Sequence, residues 1–158
     1  MSGLSDEWLT PPEIIKALGE FDLDPCTPIE MPWQTAKTRY TVKDNGLSKD
    51  WAGRVWLNPP YGAQVALWLQ RLADHGDGIA LIFARTETVW FQQFVFGYAN
   101  ALLFVANRIR FHRVDGVRSR KDGGAPSVLC AYGQRNASML LHSGIGGKFV
   151  RLNQAVSA

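Results

Sequence analysis

The apolar run Val55-Trp56-Leu57 stops against Asn58-Pro59-Pro60-Tyr61, and no other stretch of the chain limits its fold as tightly. Two consecutive prolines cannot continue a backbone hydrogen-bond ladder, so a buried strand must end there. Asn58 and the carbonyls beside it then sit at a carboxyl edge, where open α/β sheets bind their ligands. Proline has no N–H to donate and a fixed φ, so this edge is stiff and offers acceptors. The Asn58 side-chain oxygen and the Pro59 carbonyl can together take both hydrogens of one exocyclic amino group. The Tyr61 ring offers a flat face to a planar base or amide. Such equipment suits chemistry on an amino nitrogen.

The rest of the chain reads as alternating helices and short apolar strands. Thr10-Pro11-Pro12-Glu13 resembles a helix start, with Thr10 as cap, Pro11 at the first helical position and Glu13 closing a capping box. That helix should run through Ile14, Ile15 and Leu18 to Gly19. Phe21–Asp24 reads as a strand cut by Pro25, and a further strand is expected around Thr38–Thr41. Helical periodicity covers Gln64–His75. Unbroken apolar runs mark buried strands at Gly78–Ala84, Ala101–Val105 and Ser127–Tyr132. Val89–Tyr98 reads as a helix, although its aromatic residues would serve a strand as well; Trp90, Phe91, Phe94 and Phe96 are assigned to the core. Arg108–Phe111 alternates as a half-exposed strand does, and Lys148–Leu152 is expected to form a last one. The pattern predicts an α/β fold, a mostly parallel twisted sheet with helices on both faces and an antiparallel C-terminal strand. The competing arrangement is α+β with a C-terminal antiparallel meander.

A chain of 158 residues predicts one domain, with a core over about 7–152 and little room for a second module. No apolar run is long enough to span a bilayer, and the N-terminus lacks the pattern of a signal peptide. Two cysteines, Cys26 and Cys130, are too few for a disulfide framework, and no Cys/His spacing suggests a zinc site, so a reducing cytoplasm is expected. The net charge of +3 conceals an asymmetry. Residues 1–75 hold 7 Lys/Arg against 10 Asp/Glu, whereas residues 76–158 hold 10 against 4. Arg108, Arg110, Arg113, Arg118, Arg120 and Lys121 crowd one stretch with only Asp115 among them. Such a cluster is either a phosphate-backbone footprint or a solvated loop.

Several strings together resemble the small phage and prophage DNA adenine-N6 methyltransferases. They are Trp8-Leu9-Thr10-Pro11-Pro12-Glu13, Phe21-Asp22-Leu23-Asp24-Pro25-Cys26, Asp44-Asn45-Gly46-Leu47 with Trp51, and Val55–Gly62. The likeness continues through Ala84–Thr88 with Trp90-Phe91, Leu103–Val105 with Arg108–Phe111, and Gly124–Gly133. The resemblance implies a Rossmann-like methyltransferase fold, S-adenosylmethionine as methyl donor, DNA as partner, and a bacterial host cytoplasm as location. The chain shows no obvious separate target-recognition domain, so reading of the DNA sequence would fall to its loops. One departure stands out. Where many such enzymes place a glycine-rich loop after the first strand, this chain has Asp24-Pro25-Cys26-Thr27.

On this resemblance the catalytic residues are Asn58, Pro59, Pro60 and Tyr61. The donor contacts are Thr10, Pro11, Asp22, Asp24, Pro25, Cys26, Asp44 and Asn45. The donor joins a sulfonium cation to adenosine and to an amino acid, so a carboxylate at the end of the first strand suits it. Asp22 and Asp24 share a strand face, and Asp24, nearer the carboxyl end, is favoured; two acids that merely cap a strand or helix are the alternative. Thr10 and Pro11, at a helix start, could receive the donor's carboxylate. Asp44 and Asn45 could reach its adenine or ribose, or could form a plain turn. An adenine amino nitrogen is a poor nucleophile because its lone pair is delocalised into the ring. Hydrogen bonds to Asn58 and Pro59 would draw it towards tetrahedral geometry and free the lone pair for in-line attack, with Tyr61 stacked on a flipped-out base. Arg85, Arg108, Arg110, Arg113, Arg118, Arg120 and Lys121 are the expected DNA contacts, mostly to phosphates. Other amino acceptors (RNA adenine, cytosine N4, a glutamine amide) and a non-catalytic nucleic-acid-binding module are the rival readings.

Overall fold

Apolar side chains facing both ways along the inner strands demand cover on both faces of a sheet, and the chain supplies it. The computed structural model describes residues 9–60, 62–107, 109, 125–152 and 154. In chain order these form α1 (Pro12–Ala17), β1 (Leu23–Asp24), β2 (Thr38–Arg39), β3 (Val55–Leu57), α2 (Val65–His75), β4 (Gly78–Phe83), a π-helical segment (Phe91–Phe96), β5 (Ala101–Val105), β6 (Ser127–Tyr132), α3 (Gln134–Leu141) and β7 (Gly147–Arg151). The strands make one sheet in the order β2-β1-β3-β4-β6-β5-β7.

Along β3, β4, β5 and β6, successive residues alternate between two cores. Val55, Leu57, Ala80, Ile82, Leu102, Val128 and Cys130 pack with α2 and the π-helical segment. Trp56, Ile79, Leu81, Ala101, Leu103, Leu129 and Ala131 pack with Ile15 and Leu18 from the α1 side and with Ala137 and Leu140 of α3. The aromatic run accordingly belongs to the core, with Phe91 fully buried and Phe96 edge-on to it.

Strand direction follows the expectation in part: the first half is parallel and the C-terminal strand antiparallel, but β6 also runs antiparallel. The pairs β1–β2, β1–β3 and β3–β4 are parallel, but β4–β6, β5–β6 and β5–β7 are antiparallel. The sheet is thus parallel only in its first half, and two strands, β6 and β7, run against the other five. An unbroken apolar run reports that a strand is buried on both faces and carries no information about its direction.

Three local features also differ. α1 begins one residue late: Pro11 takes the N-cap position and makes no side-chain cap bond, so Thr10 is not the cap. The Val89–Tyr98 helix widens into π turns over Phe91–Phe96. α3 goes unanticipated because its inner face carries Asn136, which is fully buried and disguises the apolar period. Asn136 there accepts from Arg54 Nε at 2.6 Å and donates to Asp77 Oδ1 and the Tyr132 carbonyl, tying the amino end of the sheet together. Of the strand expected over Arg108–Phe111, only Ile109 is described; it is buried and not in a strand.

Candidate functional site

The chain leaves β1 on one side to form β2 and returns on the other side to form β3. Connections from the carboxyl ends of β1 and β3 therefore diverge, and the crevice they leave is the usual ligand position in an open α/β sheet. A cavity of about 430 Å³ lies there, within the size range of small-molecule sites. Its wall takes Asp24, Pro25 and Cys26 from the end of β1, and Asn58, Pro59 and Pro60 from the end of β3. Thr10 closes it before α1, Asn45, Gly46 and Leu47 form another side, and Gln64 and Trp68 come from the α2 side.

Asp24 is 4% exposed and held by short local bonds. Thr35 Oγ1 donates to its Oδ2 at 2.5 Å, and the Cys26 N–H donates to Oδ1 at 3.2 Å. Burial raises its carboxyl pKa, an effect opposed by the hydrogen bonds from Thr35, Thr27 and Cys26 and by the charge of Arg39. Among the described residues no cation forms a salt bridge with it. A buried acid with no ion-pair partner, facing a cavity, suits a cationic ligand.

Asn58 is half-buried, and its Nδ2 donates to Thr10 Oγ1 at 2.9 Å. Its backbone carbonyl accepts from Cys26 Sγ at 3.4 Å, a contact that joins the ends of β1 and β3. Burial, followed by the neighbouring Asp24 charge, pushes the Cys26 thiol well above its usual range, so Cys26 is a neutral donor here.

The other expected donor contacts divide. Asp22 lies outside the cavity wall: its carboxylate accepts from the Arg54 N–H at 2.8 Å and stands 3.9 Å from Lys37 Nζ. Two residues of strand, about 6.6 Å, separate it from the carboxyl edge that Asp24 reaches. Asp44 is exposed and closes a turn, accepting from the Thr41 N–H at 2.8 Å, while Asn45 beside it reaches the cavity with φ +53°. Pro11 is buried and absent from the wall. Arg85 is exposed just past β4, at the edge where β3 ends. Tyr61 and the basic residues Arg108, Arg110, Arg113, Arg118, Arg120 and Lys121 lie outside the described residues.

Sequence reasoning missed Thr35, Gln64 and Trp68. Thr35 sits in an irregular polar stretch, and only the fold brings it to Asp24. Trp68 reads as one more apolar position of α2, stacked on Trp51 at 6.4 Å. Gly46, in sequence one member of the Asp44–Leu47 string, stands where a glycine is required. A Cβ there would collide with the Pro25 carbonyl, and backbone on both sides leaves nothing flexible to yield. Gly46→Ala is therefore expected to cost about 1–3 kcal/mol by forcing the two loops apart. Thermal unfolding with and without a ligand should show a lower Tm and weakened ligand stabilisation.

A family model described as DNA N-6-adenine-methyltransferase (Dam) matches residues 2–143. No curated protein and no solved structure matches the chain.

Proposed function

Because the chain belongs to the DNA N-6-adenine-methyltransferase family, enzymes acting on adenine in DNA, we propose that its cavity binds S-adenosylmethionine and that Asn58 and Pro59 hold the N6 amino group of the target adenine. The observation that carries this reading is the union, in one crevice, of a buried acid that forms no salt bridge among the described residues and a proline-stiffened edge of acceptors. Five codirectional strands with β6 inserted between β4 and β5 favour a Rossmann-like methyltransferase sheet.

S-adenosylmethionine would supply a methyl carbon made electrophilic by its sulfonium. The residues present fit it: Asp24 suits its cationic groups, and Pro25, Leu47 and Trp68 offer apolar surface to its adenosyl part. The Asn58 oxygen and the Pro59 carbonyl accept the two amino hydrogens and bring the nitrogen towards tetrahedral geometry. They are fixed before the reaction, so little reorganisation opposes the charge that develops on nitrogen. The product ammonium is acidic and loses its proton to water, so no strong base is needed. Tyr61 is assigned to stacking on the flipped base, offsetting part of the few kcal/mol of unstacking.

The DNA-binding edge is assigned to Arg85 and the basic segment. The strand ends that bracket that segment, Val105 and Ser127, lie at the same edge as the end of β4. Neutralising Arg118, Arg120 and Lys121 together should weaken DNA binding and lower the slope of log K against log salt by up to about 3. An unchanged slope, measured by fluorescence anisotropy at several salt concentrations, removes the segment from the interface.

The whole reading is tested by incubating the protein with methyl-labelled S-adenosylmethionine and unmethylated DNA, then digesting to nucleosides. Labelled N6-methyl-2′-deoxyadenosine is expected; label on cytosine, or none on DNA despite bound donor, counts against it.

A further inference from the structure

Thr10 and Asn58 are joined across the fold: the Asn58 Nδ2 donates to the Thr10 hydroxyl oxygen at 2.9 Å, and both residues line the cavity. Thr10 is held firmly. It is 2% exposed, it is β-branched, and it precedes Pro11, which confines its backbone to extended conformations. Because Pro11 occupies the N-cap position of α1, the Thr10 hydroxyl is not committed to the helix.

An asparagine amide has an acceptor edge and a donor edge of nearly the same shape, and a half-turn about its last torsion exchanges them. Only one orientation serves an amino group. With the oxygen presented, Asn58 accepts an amino hydrogen; reversed, it meets N–H with N–H. In the structure the Thr10 hydroxyl takes the nitrogen side, which leaves the Asn58 oxygen free to accept. We propose that Thr10 is a positioning residue whose hydroxyl, by receiving the Asn58 Nδ2–H, holds the Asn58 oxygen in the orientation that accepts the target amino group. The inference rests on the reading of Asn58 given above and adds a role for Thr10 that differs from contact with the donor.

The test compares Thr10→Val, which keeps the shape and removes the hydroxyl, with Thr10→Ser, which keeps the hydroxyl, and with Asn58→Ala. Steady-state kcat and the separate KM values for DNA and S-adenosylmethionine are measured at one salt concentration. Thr10→Val should lower kcat about tenfold, the worth of one hydrogen bond, with the donor KM within about twofold. Thr10→Ser should recover most of the rate. In ¹⁵N-labelled protein the Asn58 side-chain amide protons should be protected from exchange in wild type and in Thr10→Ser, and should lose that protection in Thr10→Val. Should Thr10→Val fail to fold, Thr10→Ala is expected to show the same kcat loss and the same loss of protection.

Wild-type kcat in the hydroxyl-free variant alongside an inactive Asn58→Ala overturns the proposal. So does a loss confined to the donor KM, which would make Thr10 a donor contact. An Asn58→Ala enzyme that turns over normally removes the underlying reading instead, and the proposal falls with it.

Discussion

Asn58→Ala is expected to cut methyl transfer by roughly 10²–10³-fold, the usual loss when one preorganised polar partner of a developing charge is removed. Donor affinity should stay near wild type, because Asp24 and the apolar wall are untouched. The fold should persist as well. The contact from Cys26 goes to the Asn58 backbone carbonyl and survives the change, so only the side-chain bond to Thr10 is lost, costing about 1 kcal/mol. Single-turnover kinetics with saturating donor separate the chemical step from binding. Normal turnover would sink the assignment of Asn58, whatever else the cavity binds.

Asp24→Asn is expected to do the reverse, weakening donor binding sharply while leaving the protein at least as stable. Removing one member of a buried charge pair typically costs 2–5 kcal/mol, roughly 30-fold or more in Kd. Stability moves the other way because burial raises the Asp24 pKa above its unfolded value. The folded state then holds more protons than the unfolded state between those two pKa values, so the stability linked to this group is greatest below the unfolded value. It is lost as pH rises through the raised folded value, and above that value the ionised carboxylate is a burden that asparagine removes. Donor affinity in the wild type should accordingly fall as pH is lowered through that raised value, with protons released on binding in the same range. Calorimetry in buffers of different ionisation enthalpy reads that release. Tight pH-independent donor binding by Asp24→Asn would exclude Asp24 as the counter-charge.

Some of this site is local chemistry, and so it was legible in the sequence. Two prolines after Val55-Trp56-Leu57 end a strand in any context, so the edge carrying Asn58 follows from adjacent residues. Pro25 ends β1 in the same way, which is why Asp24 could be preferred to Asp22 before either was located. The apolar runs of β4, β5 and β6 marked their own positions closely, since burial on both faces requires unbroken apolar stretches.

Direction and partnership depend on residues far apart in the chain, and no local pattern records them. β6 lies antiparallel between β4 and β5 because hydrogen bonds to both make that place available, and its own composition does not choose it. Thr35 reaches Asp24 across 11 residues of irregular chain, Thr10 reaches Asn58 across 48, and Gly46 meets the Pro25 carbonyl from a separate loop. The sequence by itself determined which residues could grip an amino group and a cation, because that is a property of side chains and of proline's geometry. Only the tertiary structure decided that they share one cavity and which partners they meet there, because divergence of the chain between β1 and β3 is a property of the sheet.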